Sequence, residues 1–359
     1  MRKYVFSGKS ASIPAFLFAL IVICLSGAVA CGQEIRVTEL PQQKLNVKAG
    51  QYSGIAYLGG ERYAVVDDKL PGGGIVFFGL PLRDDGSVRT TRVRRKVPDV
   101  TLSSAVSGRD NEGVAYVDGR LYVSAESDQS IREYDLDGRE TGRAFSVPAS
   151  FSRDSIEGNA GFEALTYNEV TGKFWTTTEL PLKADGKPSR LHRLLRFDGD
   201  FQTDACFLYQ MDEPRMTVEE SSSTMAYVYG ISALTALDDG RLIVLEREVC
   251  VPRSSPQEIL ANAFSLVKLY LVTPSGTEVL SKQLLHTFET RISMTGAGIN
   301  VALANYEGMC LGPRLRDGRR CLMLIADSQA GMADLARKFG QKRITQEFVK
   351  VLVLEGKGI

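Results

Sequence analysis

Histidine and tryptophan are scarce in this chain, which contains two histidines, His192 and His286, and one tryptophan, Trp175. All three fall on predicted outer or second strands, where packing roles are favoured. Neither the histidines nor the cysteines have the spacing of a zinc site. A Gly-x-Ser-x-Gly elbow, a His-Glu-x-x-His helix and a P-loop are also absent. These absences argue against an α/β-hydrolase triad, a zinc protease and a nucleotide-binding loop.

The chain also lacks a net charge, because its 43 basic residues balance 43 acidic ones. If Arg2, Lys3 and Lys9 are removed with a leader, three fewer basic residues leave 40 against 43 acidic ones. No overall basic field therefore attracts nucleic acid or an anionic membrane. The hydrophobic content of 44% is ordinary for a globular protein with a substantial core.

Residues 1–30 are predicted to be a signal peptide. Arg2 and Lys3 precede an apolar run over 11–30, which ends in Ala-Val-Ala directly before Cys31. A cysteine at the new N-terminus indicates a bacterial lipoprotein, although alanine replaces the usual leucine three positions earlier. An uncleaved anchor helix is the alternative. We expect the body to be extracytoplasmic, either in the periplasm or anchored to the envelope through a lipid on Cys31.

Four cysteines remain in the predicted mature chain, Cys206, Cys250, Cys310 and Cys321. An oxidising compartment permits disulfides, and four cysteines allow three pairings. Cys310 and Cys321 flank one hairpin turn, so they are the first expectation for a disulfide. Buried free thiols are the alternative.

A β-hairpin pattern recurs along the chain. Its clearest copy, over 111–127, has an alternating strand, a turn at Asp118 and Gly119, and a returning strand. Each copy opens with Ser or Glu, continues with Gly or Ala, and ends its second strand in an acid. The opening residues are Ser53, Glu112, Glu163, Ser232 and Glu307, and the terminal acids are Asp67, Glu126, Glu179, Glu246 and Asp327. Antiparallel pairing brings each terminal acid back beside its opening residue.

The repeat predicts an all-β fold, a β-propeller of four-stranded blades spanning residues 31–359. Five blades is the expected count, and six is the alternative if one blade is degenerate. The last unit lacks a fourth strand, while an unassigned strand is predicted over 35–40. We therefore expect this N-terminal strand to complete the last blade and close the ring. Short helices are predicted over 256–264 and 332–339.

In a propeller the first strand of each blade lines the axis, which places Glu112, Glu163 and Glu307 around a common point. Clustered carboxylates repel each other, and a divalent cation with oxygen ligands relieves this repulsion. Calcium is favoured over zinc, because no histidine or cysteine accompanies the acids. We predict that these three residues bind one cation, with Ca²⁺ as the expected ion. The alternative is that the acids bind backbone amides or arginines such as Arg247 and Arg132 and hold the blades together.

Several segments together resemble the phytase-like propeller family, also described as esterase-like activity of phytase. The segments are Asn111-Glu-Gly-Val-Ala-Tyr, Gly161-Phe-Glu-Ala-Leu-Thr-Tyr, Gly230-Ile-Ser-Ala-Leu and Asn305-Tyr-Glu-Gly-Met-Cys-Leu-Gly-Pro. The resemblance implies a secreted or envelope β-propeller that hydrolyses phosphoric or carboxylic esters. The chain lacks the Arg-His-Gly motif of histidine acid phosphatases. Its Glu-Gly openings are also similar to metal-dependent lactonase propellers, an analogy at the level of fold.

Two functional hypotheses follow. The first is a metal-assisted hydrolase of small esters or phosphate esters, in which Glu126, Glu179 or Asp327 orients water or acts as the general base. Asp67 and Glu246 are the remaining acids of the ring. Under this hypothesis we expect the protein to be a monomer that binds no nucleic acid. We expect it to contact the membrane only through a lipid on Cys31. The second is a non-catalytic envelope propeller that binds a ligand or a protein on its loop-rich face.

Overall fold

The computed structural model describes residues 35–45, 47, 50–67, 74–95, 100–101, 110–186, 189–216, 225–295, 298–327, 338–340 and 347–359. The predicted signal peptide, Cys31 and most of the predicted helix over 332–339 lie outside the described residues. The body of the chain, Glu34–Ile359, is one compact unit.

The strands are numbered β1 to β23 in chain order. The first two, β1 (Arg36–Glu39) and β2 (Gln43–Leu45), belong to the last blade. The first blade contains β3 (Tyr52–Tyr57), β4 (Arg62–Asp67), β5 (Gly74–Gly79), β6 (Arg94–Arg95) and β7 (Val100–Thr101). The second contains β8 (Asn111–Val117), β9 (Arg120–Ala125), β10 (Ser130–Tyr134) and β11 (Glu140–Ala144).

The remaining three blades follow the same antiparallel order. The third contains β12 (Phe162–Asn168), β13 (Lys173–Thr178), β14 (Leu191–Phe197) and β15 (Thr203–Gln210). The fourth contains β16 (Met225–Ala236), β17 (Leu242–Pro252), β18 (Phe264–Val272), β19 (Lys282–Thr295) and β20 (Gly298–Val301). The last contains β21 (Asn305–Arg314), β22 (Arg320–Asp327) and β23 (Glu347–Glu355), with β1 and β2 paired to β23.

The inner strands of the five blades contact one another in a closed ring. Strand β3 packs on β8, β8 on β12, β12 on β16, β16 on β21, and β21 on β3. The predicted five-bladed propeller is therefore confirmed. Hydrophobic clusters lie between neighbouring blades, because the two faces of each sheet pack against different neighbours.

The predicted closure by the N-terminal strand is confirmed. Strand β1 pairs antiparallel with β23, with Arg36 opposite Glu355, and β2 pairs with the other half of the same strand. The carboxylate of Glu39 contacts the ammonium group of Lys350 on β23 and lies 2.8 Å from His286 on β19. One acid in the closing strand therefore links the last blade to the fourth.

The fourth blade departs from the predicted strand bounds. The sequence predicts its outer strand over 277–286, but β19 begins only at Lys282. The preceding residues contact the third blade instead, because Val279 forms a parallel bridge with Leu208 and the N–H of Leu280 donates to the Leu208 carbonyl. The predicted helix over 256–264 is present as Pro256–Asn262.

The predicted packing roles of His192 and Trp175 are confirmed. His192 is 1% exposed on β14, and burial lowers its pKa to about 4. Trp175 lies in the cluster between the third and fourth blades. Among the described residues, no helix has the length and apolar character needed to cross a membrane.

The expected Cys310–Cys321 disulfide is wrong, because both residues are free thiols. The strand register places Cys310 opposite Met323, so Cys310 and Cys321 are diagonal neighbours. Diagonal positions on paired strands are about 7–8 Å apart, farther than disulfide geometry usually spans.

Candidate active site

The five inner strands share a β-bulge at their opening residue. In every blade the register between the first and second strand slips by one residue at this point, at Ser53, Glu112, Glu163, Ser232 or Glu307. A bulge bends the strand and re-aims the side chain of the extra residue. We call this end of the propeller, where the inner strands begin, the acid face.

In three blades the residue after the opening position is a glycine that close packing between inner strands requires. A Cβ atom on Gly54 would lie 2.4 Å from the carbonyl oxygen of Glu112, and one on Gly113 would lie 2.5 Å from the amide nitrogen of Leu165. A Cβ atom on Gly308 would lie 2.7 Å from the carbonyl oxygen of Ser53. Glycine at these positions therefore allows the backbones of adjacent blades to meet.

Arg247, on the fourth blade, lies among acids of the third and last blades and is 3% exposed. Its guanidinium lies 2.5 Å from Glu179, 3.5 Å from Glu163 and 3.0 Å from Glu307. It also donates to the side-chain oxygen of Asn305 at 2.7 Å. Burial opposes the charged form, but the surrounding carboxylates, Glu307 and Glu179 foremost, raise the pKa of Arg247. Arg247 therefore contacts the acids as the alternative sequence-based interpretation expects, and it links the fourth blade to the third and the last.

Glu126 lies at the meeting point of two carboxylate groups. Side-chain oxygens of Asp110, Glu112 and Glu126 lie within 4.8 Å of one another, and so do those of Glu126, Glu163 and Glu179. We call these five residues the acid cluster. Within the described part of the chain, these are the groups of three or more potential ligands that are close enough to hold a metal ion.

Two amide side chains lie beside the acid cluster. Gln129 is 4% exposed and donates through Nε2 to the backbone oxygen of Glu126 at 2.8 Å, while its Oε1 has no hydrogen-bond partner. Asn111, between two of the acids in sequence, is 1% exposed and neither of its amide atoms is bonded. A buried amide group without a hydrogen-bond partner costs free energy of folding. Such groups are therefore typical of sites where a bound ligand supplies the missing partner.

Burial and mutual repulsion favour protonation of the cluster. Burial, with Glu112 and Glu179 next in effect, raises the pKa of Glu163 well above its ordinary value. Burial raises the pKa of Glu126 to about 7, although the N–H of Gly161 donates to this carboxylate at 2.6 Å. Burial and the neighbouring carboxylates therefore disfavour the charged forms of Glu126 and Glu163.

The structure separates the predicted metal ligands. Glu112 and Glu163 belong to the acid cluster, whereas Glu307 lies on the other side of Arg247 and accepts a hydrogen bond from Asn305 at 2.7 Å. Asp110, which was not among the predicted ligands, joins Glu112 and Glu126. It directly precedes the repeated unit in the sequence, at a position that the repeat does not mark.

The remaining terminal acids have different surroundings. Glu246 accepts hydrogen bonds from Tyr209 at 2.5 Å, Lys282 at 2.6 Å and the N–H of Asp212 at 3.1 Å, so it joins the third and fourth blades. Asp67 lies opposite Tyr52 in the first blade. Asp327 lies opposite Asn305 and is close enough to raise the pKa of Arg247.

The axis below the acid face is narrow. The cavity between Glu163, Ser232 and Glu307 has a volume of about 10 Å³, room for about one water molecule. Among the described residues, the axis is therefore too narrow at this point for a molecule larger than water to pass.

Comparison with known proteins identifies the family of the chain. A family model described as Phytase-like, esterase-like activity of phytase, matches residues 47–329 and therefore most of the chain. The chain belongs to the Phytase-like family. The match includes all five bulged openings and terminal acids of this phytase-like propeller.

Solved structures that resemble the phytase-like chain in fold have low sequence identity to it. An endo-arabinase from Bacteroides thetaiotaomicron is 12% identical, with a TM-score of 0.47, 87% of this chain and 96% of that chain covered. The allergen Mala s 1 from Malassezia sympodialis is 10% identical, with a TM-score of 0.42, 89% of this chain and 97% of that chain covered. At these TM-scores the likeness carries no functional argument. No curated protein is significantly similar to the chain in sequence.

Proposed function

We propose that this phytase-like propeller hydrolyses phosphoric or carboxylic esters at its acid face, assisted by a divalent cation, with Ca²⁺ as the expected ion. The observation that carries the proposal is the convergence on Glu126 of carboxylates from the second and third blades, whose oxygens lie within 4.8 Å of its own. Buried like charges are stable only when they are protonated or paired with a cation.

The residues fit a calcium-type cation on the side of the cluster away from Arg247. Asp110, Glu112 and Glu126 supply carboxylate oxygens, and the unbonded Oε1 of Gln129 lies beside Glu126. Carboxylate and amide oxygens are the ligands that calcium prefers, and nitrogen or sulfur ligands are not needed. The proposed ligand set therefore replaces Glu307 of the sequence-based set with Asp110 and Glu126.

The other residues of the cluster bind and orient the reactants. A bound cation would supply polarisation of the ester oxygen and activation of water. Glu179 is the residue that we expect to orient the attacking water, because Arg247 holds its carboxylate at 2.5 Å. Glu163 lies within 4.8 Å of Glu126 and Glu179 and adds a third carboxylate to that half of the cluster. Asp110 is partly exposed and marks the side from which substrate enters.

A non-catalytic binding propeller is the second candidate. Arg247, on the fourth blade, contacts acids of the third and last blades, which favours a role of the acids in holding blades together. In that case the acid face would serve as a rigid platform for a ligand.

Calcium binding is tested by thermal denaturation. We expect Ca²⁺ to raise the melting temperature, since a ligand at 100 times its Kd stabilises the folded state by about 2.7 kcal/mol. Glu112→Gln should remove most of this shift. Glu307→Gln is the matched control and should retain it, because Glu307 lies outside the acid cluster. Equal loss in both variants would favour the sequence-based ligand set, and no shift in the parent would contradict cation binding.

The same variants test catalysis. We expect the parent to hydrolyse p-nitrophenyl esters or p-nitrophenyl phosphate, to lose activity with EDTA, and to recover it with Ca²⁺. Glu112→Gln should lower kcat/KM by at least about tenfold. Calcium binding without hydrolysis of either substrate class would leave the binding propeller as the function.

We also propose that the protein acts as an extracytoplasmic monomer, anchored to the envelope through a lipid on Cys31. The leader sequence supports this proposal, and the balanced charge of the chain gives no reason to expect a nucleic-acid partner. Cys31→Ser should therefore move the protein from the membrane fraction to the soluble extracytoplasmic fraction, because a lipid anchor is lost. Fractionation identical to that of the parent would contradict lipidation at Cys31.

A further inference from the structure

The opposite end of the axis contains a second cavity, of about 100 Å³, that the proposed hydrolase site does not use. It lies where the inner strands end at their hairpin turns, and we call it the turn-side cavity. Its inner end is apolar and is formed by Ile55, Val114, Leu165 and Met309. Three consecutive blades place a tyrosine at the same position of the repeat in its wall, namely Tyr57, Tyr116 and Tyr167.

Arg320 is the cation of this cavity. It extends from β22 and donates through Nε to the Gly312 carbonyl at 2.6 Å. No described carboxylate forms an ion pair with it. Two nearby arginines do form ion pairs, because Arg314 lies 2.9 Å from Asp238 and Arg319 lies 2.7 Å from Asp317. The terminal nitrogens of Arg320 therefore remain available to an anion.

Two acids also line the cavity, and neither neutralises Arg320. Asp238 forms its ion pair with Arg314. Glu169 is solvent-exposed at the rim, where water and salt screen its charge. The cavity thus combines an apolar inner end with one unpaired guanidinium nearer the solvent.

We propose that the turn-side cavity binds a small monocarboxylate. The carboxylate pairs with the terminal nitrogens of Arg320, whose fork geometry suits two parallel hydrogen bonds. A short aliphatic tail lies against Ile55 and Val114. The volume is well below the ~300 Å³ of common ligand pockets, which limits the ligand to a short chain.

Titration of the full-length protein with butyrate, followed by calorimetry, tests the proposal. We expect saturable binding of butyrate, no binding of uncharged butanol, and weaker binding of inorganic phosphate, which lacks the tail. Arg320→Gln should weaken butyrate binding by at least about tenfold, because the charged hydrogen bonds are lost. Arg320→Lys keeps the positive charge but lacks the forked guanidinium, so its affinity for butyrate should lie between those of the parent and of Arg320→Gln.

Arg319→Gln is the matched control, since Arg319 is adjacent in sequence but paired with Asp317. It should bind butyrate as the parent does. Because Nε of Arg320 also bonds to Gly312, a melting curve for each variant shows whether it is folded. Absence of saturable binding, binding of phosphate as tight as that of butyrate, or parent-like binding by Arg320→Gln would each overturn the proposal. Loss of binding in Glu112→Gln would instead place the carboxylate at the acid face and also overturn it.

Discussion

Replacing Arg247 with methionine is expected to lower the free energy of unfolding by about 3–5 kcal/mol in calcium-free buffer, the usual cost of breaking a buried ion pair from one side. Arg247 is 3% exposed and contacts Glu163, Glu179 and Glu307. Without it, these acids must be buried as unpaired charges or take up protons. Denaturant unfolding at neutral pH measures the loss.

The control variant is Arg241→Met in the same blade. Arg241 pairs with Asp239 near the surface, with 21% of its side chain exposed, so its loss should cost at most about 1 kcal/mol. Adding Glu163→Gln to Arg247→Met should recover part of the stability, because it removes one unpaired charge. A loss no greater than that of the control would contradict a charge-compensating role for Arg247.

Deletion of residues 32–42 from the otherwise complete chain is expected to cause aggregation or a large loss of stability. The deletion removes β1 and exposes the edge of β23 that pairs with it, from Leu352 to Glu355. It also removes Glu39 and leaves Lys350, whose side chain is 5% exposed, without that carboxylate. Size-exclusion chromatography and thermal denaturation measure the two effects.

The variant Glu39→Gln distinguishes the contribution of the Glu39 charge from that of the paired strand β1. This variant keeps the β1–β23 pairing, so it should elute as the parent does while it loses part of the stability. A deleted protein that melts and elutes like the parent would contradict ring closure by the N-terminal strand. A deletion no worse than Glu39→Gln would show that the ion pair, and not the strand, accounts for the effect.

The blades and their closure could be predicted because they depend on local patterns. Alternation around Asp118 and Gly119 determines one hairpin, and five copies of it determine the number of blades. The local pattern did not predict the strand bounds correctly where a segment contacts another blade. Residues 277–281 have strand character, but Val279 and Leu280 contact the third blade, which delays the start of β19.

The candidate site was predicted only in part. Pairing within each hairpin correctly placed Glu126 beside Glu112, and Glu179 beside Glu163, since register within a hairpin follows from turn length. The relative positions of acids from different blades depend on inter-blade packing, which no local pattern records. One feature of the sequence distinguishes Arg247. It is the only basic residue that directly follows a terminal acid of the repeat.

The sequence by itself determined that this chain is a propeller with acids at one end of every blade, because strand period and turn chemistry are local properties. Only the tertiary structure decided which acids share a site. Packing between blades brings Arg247 of the fourth blade to Glu307 of the last, and it brings Glu126 of the second blade within 4.8 Å of Glu163 and Glu179 of the third. Charge compensation in a buried cluster is a property of distances between blades, and those distances exist only after the ring has closed.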